Sequence, residues 1–222
     1  MARKITALQV QKHNNQRVNI YLDGEFAFGL ARILAAWLNI GQELSSEKIA
    51  QLQADDERET AFQRALKFLS HRNRTEAEIR AQLAHHGVLP ELVDETVSRL
   101  NESGLIDDRR FASQWIENRA EFRPRGRRAL AYELKQKGIA QDAIAEALED
   151  LEEDELAYQS ALKYLKKLAA LNWLDFRKKM YAHLARRGFS YTTIAAAVHR
   201  VWSEIQNDTQ TEDETQFEEV DK

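Results

Sequence analysis

Basic side chains are the residues of this sequence whose types and spacing most clearly suggest chemistry. They recur in clusters, and the candidates for contact with phosphate groups are Arg72, Arg74, Arg123, Arg125, Arg127, Arg128, Lys135, Lys137, Arg177, Lys178, Lys179, Arg186 and Arg187. Such side chains bind phosphate through charge and hydrogen bonds. The clusters therefore predict a basic track that contacts nucleic acid. The alternative is a solvated polar face that offsets acidic stretches such as Glu149–Glu155.

Other residue types give no catalytic arrangement. The sequence lacks a phosphate-binding Gly-rich loop ending in Lys-Ser/Thr, a G-x-G-x-x-G fingerprint and an H-E-x-x-H motif. His85 and His86 are neighbours on a predicted helix, where side chains diverge by about 100° and do not chelate one ion. Asp107 and Asp108 have no third acidic residue nearby and suit a helix N-terminus. We therefore predict a protein that is not an enzyme, with no metal and no cofactor.

Composition narrows the class of protein. The 222 residues include only 8 Gly and 2 Pro and no Cys, which favours helices and rules out disulfides. No run of about 18 apolar residues indicates a membrane span. The N-terminus lacks the apolar core of a signal peptide. We expect a cytoplasmic, monomeric protein with no membrane contact.

The net charge of −4 is unevenly distributed. Residues 203–222 contain eight acidic residues and one Lys, so they carry about −7 and leave about +3 on the remainder. This segment has too few apolar residues to fold alone, which predicts disorder over residues 207–222. Its expected role is solubility, with competition for basic surfaces as the alternative.

The elements that must position the basic residues come from a threefold repeat. Gly87, Gly138 and Gly188 lie 51 and 50 residues apart, and each follows a helical pattern with a Leu four residues before it. The matching apolar positions after the glycines are Val93, Val97 and Leu100; Ile144, Leu148 and Leu151; and Ile194, Val198 and Val201. One helical unit has therefore been used three times, and we expect an elongated array that favours a long binding surface.

The N-terminal residues depart from this pattern. Residues 5–10, 18–22 and 25–29 have the β-branched character of strands, and Asp23-Gly24 predicts a hairpin turn. The fold class is thus mainly α: three tandem three-helix repeats with a small β-rich N-terminal segment. The predicted domains are an N-terminal hairpin and helix cap (1–54), repeats at 55–104, 105–154 and 155–206, and the tail (207–222).

Local signals place several helix ends. Helices are predicted over 31–38, 46–52, 57–71 and 141–153, among others. Thr75 to Glu78 forms a capping box, and Pro90 suits the first turn of a helix. The repeat glycines are expected to end their helices in the left-handed conformation.

Three ordered segments resemble the RecX family, regulators of the RecA recombinase. Leu105–Ala112 resembles the family pattern (Y/L)-I-D-D-x-x-F-A, and Arg125–Ile139 resembles G-x-x-x-(I/L)-x-x-E-L-x-x-K-G-I. Leu66–Ile79 is similar to Y-L-x-x-R-x-R-(S/T)-x-x-E-L. The resemblance covers about residues 57–204.

The resemblance implies a non-catalytic protein that lies in the groove of the RecA–DNA filament. It would limit RecA's ATPase, strand-exchange and co-protease activities, and so act in recombinational DNA repair and the SOS response. Partners would be the RecA filament and, weakly and without sequence specificity, single- and double-stranded DNA. Two alternatives remain: a helix-turn-helix DNA-binding protein, and a helical adaptor between proteins.

Overall fold

The computed structural model describes residues 2–168 and 171–220, with side chains as far as residue 207. In that part of the chain the protein is mainly helical, with ten helices and one small antiparallel sheet. This confirms the predicted fold class. The chain divides into two compact units, Met1–Ile106 and Asp107–Lys222.

The first unit opens with a four-stranded sheet in the order β3-β2-β1-β4. Its strands are β1 (Arg3–Gln11), β2 (Asn14–Leu22), β3 (Glu25–Ala31) and β4 (Glu43–Leu44). Asp23 and Gly24 have φ values of 54° and 92°, which confirms the tight hairpin, since such turns need two left-handed residues. Ile5, Ile20 and Leu30, on β1, β2 and β3, are fully buried in one apolar cluster. The two-residue β4 strand was missed because it is too short to show alternation.

Helix α1 (Arg32–Ala35) lies between β3 and β4, and α2 (Ser46–Leu69) follows β4. Helix α1 is shorter than the predicted 31–38. Helix α2 is continuous, so the prediction of separate helices at 46–52 and 57–71 was wrong; no Gly or Pro interrupts it. Asp56, in its middle, accepts hydrogen bonds from the Ala31 amide at 2.5 Å and the Arg17 guanidinium at 2.7 Å. The boundary predicted at residues 54 and 55 falls inside α2, which the sheet and the first repeat share.

Helices α3 (Glu76–His85) and α4 (Pro90–Glu102) complete the first repeat. The Thr75 hydroxyl accepts a hydrogen bond from the Glu78 amide at 3.2 Å, as the capping box predicts. Pro90 occupies the first turn of α4. Buried Phe62, Ile79 and Val97 pack into one apolar cluster that joins α2, α3 and α4.

The second unit contains the remaining helices. They are α5 (Asp108–Phe122), α6 (Arg127–Gln136), α7 (Gln141–Ala147), α8 (Glu153–Leu165), α9 (Trp173–Arg186) and α10 (Tyr191–Val220). Asp107 caps α5 by accepting the Arg110 amide at 2.9 Å. Helix α7 ends well before the predicted residue 153. The acidic residues at 149, 150, 152 and 153 oppose the negative end of its helix dipole, which favours an early end.

Helix α10 extends through most of the segment for which the sequence predicted disorder. Adding residues to an existing helix avoids the cost of nucleation, which the compositional argument for disorder left out. The side chains of residues 208–222 lie outside the described residues.

The predicted repeat is confirmed in its local geometry. Gly87, Gly138 and Gly188 have φ values of 72°, 80° and 83°, so each ends its helix in the left-handed conformation. Of the nine matching apolar positions, all are buried except Leu151, which is partly buried. The third helix of each repeat therefore contributes its apolar face to its own core.

Candidate nucleic-acid interface

The second and third repeats touch backbone to backbone at a tight joint. The Gly126 amide, at the start of α6, donates a hydrogen bond to the Arg187 carbonyl at 2.9 Å. A Cβ atom on Gly126 would overlap the Gly188 carbonyl and the Phe189 nitrogen, and one on Gly188 would overlap Ala129. Residues without side chains are needed on both faces of this joint.

An arginine side chain bridges the same joint. Arg187 Nη1 donates to the Pro124 carbonyl at 3.0 Å, and both residues are at least half-buried. This bond fixes the loop that precedes α6 against the turn between α9 and α10. Within the second repeat, Arg125 Nη1 pairs with Glu133 at 3.0 Å and so holds the same loop on α6.

A cleft of about 400 Å³ lies at the joint, and Arg123, Arg125, His183, Arg186 and Arg187 line it. Arg125 and Arg187 are half-buried, whereas Arg123 and Arg186 are exposed at its rim. Burial, and then the charges of Arg125 and Arg123, lower the pKa of Arg187. We call this set of residues the arginine cleft.

Positive charge in the arginine cleft is poorly neutralised. Within the described residues, no carboxylate forms an ion pair with Arg123, Arg186 or Arg187. Crowded guanidinium groups repel one another, and an anion bound between them relieves that repulsion. The cleft is therefore suited to bind an anion.

Glu133 holds Arg125, one of the residues that line the cleft. Its carboxylate accepts hydrogen bonds from Trp115 Nε1 at 2.7 Å and Arg119 Nε at 2.8 Å, in addition to the pair with Arg125. The Arg119 guanidinium also lies 4.2 Å from the centre of the Trp115 ring. Sequence reasoning assigned no role to Glu133, Trp115 or Arg119. The spacing of Trp115 and Arg119, four residues apart on a helix, was the available signal.

His183 is a second residue that sequence reasoning missed. Its ring stacks on Tyr164 with a centroid distance of 3.9 Å and an interplanar angle of 7°. Burial, followed by the charges of Arg187, Arg186 and Lys167, lowers the pKa of His183 to about 4. The imidazole is therefore neutral near pH 7 and adds no further charge to the cleft.

The predicted basic residues of the first repeat are differently placed. Both terminal nitrogens of Arg72 donate to the Glu78 carboxylate at 3.0 Å. The Arg74 guanidinium lies 4.0 Å from the centre of the Phe68 ring. Both arginines belong to the first unit, and their charges are engaged by neighbours in that unit.

The remaining predicted residues lie along α6 and α9. Arg127 donates its backbone amide to the Glu153 carboxylate at 2.9 Å. Lys137 lies 5.5 Å from the centre of the Trp115 ring, and Arg177 lies 5.5 Å from the centre of the Tyr181 ring. The other four are exposed to solvent: Arg128, Lys135, Lys178 and Lys179. The structure thus gathers Arg123, Arg125, Arg186 and Arg187 around one cleft. Phosphate contact by the whole predicted track stays a prediction.

The described residues contain no cluster of three or more His, Asp or Glu side chains placed to hold a metal ion. Among the same residues, every helix is too short or too polar to span a lipid bilayer.

The fold defines a protein of tandem three-helix domains preceded by a small sheet domain. The arginine cleft lies where the second and third of these helical domains meet. Sequence models of four domains match the chain in order: the regulatory protein RecX N-terminal domain at residues 3–45, and the RecX first, second and third three-helix domains at residues 61–100, 107–148 and 152–198. The chain therefore belongs to the RecX family of regulatory proteins.

Individual relatives agree with this assignment. The chain is 35% identical to regulatory protein RecX of Bacillus subtilis, over 95% of this chain and 81% of the relative. It is 32% identical to that of Leuconostoc mesenteroides, over 95% and 80%. A crystal structure of regulatory protein RecX superposes with a TM-score of 0.71 and 30% identity, over 88% of this chain and 98% of the other. RecX from Lactobacillus salivarius, at TM-score 0.61 and 21% identity over 66% and 97%, shares the fold.

Proposed function

We propose that this protein regulates the RecA recombinase, as an inhibitor that binds along the RecA–DNA filament. It would modulate the ATPase, strand-exchange and co-protease activities of RecA without catalysing a reaction itself. The observation that carries the proposal is the ordered match of all four domains to RecX models over residues 3–198. The arginine cleft supports a contribution from DNA phosphate to the interaction.

Tandem domains offer a physical reason for preferring filament to free RecA. Several linked domains can contact neighbouring subunits of one filament, and each contact raises the effective concentration of the next. A free RecA subunit presents only one copy of each contact. Inhibition is therefore expected at less than one protein per RecA subunit.

The decisive measurement is DNA-dependent ATP hydrolysis by RecA, titrated with this protein and compared with the protein alone. We expect a lower rate that recovers as salt rises, because phosphate contacts weaken with ionic strength. Co-sedimentation with the filament would report binding directly. Unchanged hydrolysis and strand exchange in excess protein, with no co-sedimentation, would remove support for the proposal; stimulation would keep the partner and reverse the effect.

We further propose a cytoplasmic monomer that binds single- and double-stranded DNA weakly and without sequence preference. The buried positions of Val97, Ile144 and Val198 support this choice over a helix-turn-helix reader, since these third-helix residues pack inward. Sequence-selective binding in the absence of RecA would favour the reader. Indifference to DNA, RecA and salt would favour an adaptor.

A further inference from the structure

We propose that the arginine cleft is a discrete binding site for the phosphodiester groups of DNA, distinct in strength from the other basic surfaces of the protein. This inference deepens the DNA contact of the proposed function and rests on it. Arg125 and Arg187 would hold one phosphate in the half-buried part of the cleft. Arg123 and Arg186 would contact it, or the phosphates next to it, from the exposed rim.

The side-chain chemistry selects a phosphate oxyanion. A guanidinium group presents parallel N–H donors that match a pair of oxygens bonded to one phosphorus atom. Such charge-assisted bonds are about twice as strong as neutral ones. Four guanidinium groups around one cleft can satisfy both free oxygens of a phosphodiester.

The joint holds these donors in place before any ligand arrives. Arg187 is fixed through its bond to the Pro124 carbonyl, and Arg125 through Glu133. The backbone bond between Gly126 and Arg187 ties the two repeats together beside them. Preorganised groups lose less conformational entropy on binding, so each contact contributes more to affinity.

Ion pairing distinguishes the cleft from nine arginines elsewhere in the protein. The arginines that already contact carboxylates outside the cleft are Arg3, Arg17, Arg58, Arg72, Arg80, Arg99, Arg109, Arg119 and Arg200. A phosphate that approaches one of these must compete with a resident carboxylate. In the cleft, only Arg125 has such a partner among the described residues.

Paired variants test whether the cleft is a discrete site. The double variant Arg123→Gln/Arg186→Gln removes two rim charges, and Arg32→Gln/Arg64→Gln removes two exposed arginines of the first unit. We expect the affinity for a fluorescent oligothymidylate to fall by about tenfold or more for the cleft variant, as for the loss of two charge-assisted bonds. Its slope of log K against log salt should fall by about one unit or more.

The control variant should lose less than about threefold in affinity, since it changes only the overall charge. A third variant, Arg128→Gln/Lys178→Gln, removes exposed members of the predicted track outside the cleft and should fall between the two. All four altered arginines of the first two variants are exposed, so folding should be retained; circular dichroism checks it. Equal losses in all three variants would overturn the inference in favour of a diffuse basic surface.

The pKa of His183 provides a second measurement, which leaves all four arginines of the cleft unchanged. The charged groups around its ring are Arg186 and Arg187 on its own helix and turn, Lys167 after α8, and Arg123 and Arg125 across the cleft; Tyr164 and Ser160 of α8 complete its surroundings. A phosphate bound there adds negative charge, which favours the imidazolium. The pKa of His183, followed by NMR and assigned with His183→Gln, should move up from about 4 on DNA binding.

Two phosphate sources are compared in the same titration. Oligothymidylate should move the His183 resonance at a far lower phosphate concentration than inorganic phosphate does, because neighbouring phosphates in a chain occupy the rim as well. An equal response to both would assign the cleft to free phosphate and overturn the DNA assignment. No response to either would overturn the site itself.

The inference and the proposed function fail in different ways. If DNA binds at the cleft but RecA hydrolyses ATP at its normal rate, the cleft assignment stands and the proposed function fails. If RecA is inhibited and the Arg123→Gln/Arg186→Gln variant binds DNA as wild type does, the proposed function stands and the cleft assignment fails.

Discussion

The first and second repeats both carry arginines just before their second helix, but the surroundings of these arginines differ. In the first repeat, Arg72 is held by both oxygens of Glu78 and Arg74 covers Phe68. In the second, Arg123 and Arg125 line a cleft that further arginines enter from the third repeat. Equivalent positions in a repeat thus share their backbone geometry without sharing their electrostatic environment.

One position in the second helix accounts for much of this difference. The third residue of α3 is Glu78, which neutralises Arg72, and the third residue of α6 is Ala129. Ala129 is small enough to pack against Gly188, where a longer side chain would prevent the joint. Alanine at this position therefore removes the counterpart of the Arg72–Glu78 pair from the second repeat, where Arg125 pairs with Glu133 instead, and it lets the third repeat approach.

The largest expected effect is on folding stability, and it should differ between two of the glycines that end helices. Gly87 and Gly188 both have positive φ, but a Cβ on Gly87 would meet nothing within 4 Å, whereas one on Gly188 would meet Ala129. We expect Gly188→Val to cost about 3 kcal/mol of unfolding free energy and Gly87→Val about 1–2 kcal/mol. Urea unfolding measures both.

Gly126→Ala serves as the control for the packing contribution, since Gly126 has an ordinary φ of −74° and is crowded only by the joint. A cost for Gly188→Val no larger than that for Gly87→Val would show that the joint relaxes easily.

A smaller effect should appear in the pH dependence of stability. The unfolded imidazole titrates near about 6.5, and folded His183 titrates at about 4. Between these values the unfolded chain binds the extra proton, so stability present above pH 6.5 is lost as the pH falls towards 4. We expect His183 to account for about 1 kcal/mol of this loss, after allowance for solvent screening of its partly exposed ring.

The check is the difference in urea unfolding between wild type and His183→Gln at pH 7 and pH 5 in phosphate-free buffer. Carboxylates titrate in both proteins, so the difference isolates the imidazole. Parallel pH profiles would contradict the lowered pKa.

The smallest expected effect concerns Arg72. Replacing Glu78 by Gln removes its charged partner, and DNA affinity should rise by about twofold, the scale of one exposed charge contact. Glu91→Gln makes the same charge change at an exposed residue of α4 and should have less effect. Fluorescence anisotropy with oligothymidylate compares the two variants. Equal affinities would show that Arg72 is remote from DNA even when released, and that the contrast between the repeats does not depend on Glu78.

Much of the fold could be predicted because it depends on interactions between residues close in sequence. The Asp23-Gly24 turn, the Thr75 and Asp107 caps and the three left-handed glycines each involve neighbours within about four residues. The core positions followed from helical periodicity. The bonds of Asp56, in the middle of α2, with Arg17 and Ala31 on the sheet were not predictable in this way, because these residues lie 39 and 25 positions away in the sequence.

The sequence by itself determined the repeat, the helix ends, the inward-facing residues and the clustering of basic side chains, since these depend on residue type and short spacing. Only the tertiary structure decided which arginines retain available charge. That outcome depends on contacts such as Arg187 with Pro124, 63 residues apart, and Trp115 with Glu133, 18 residues apart. Electrostatic energy depends on distance in space and on burial, and neither can be read from position in the chain.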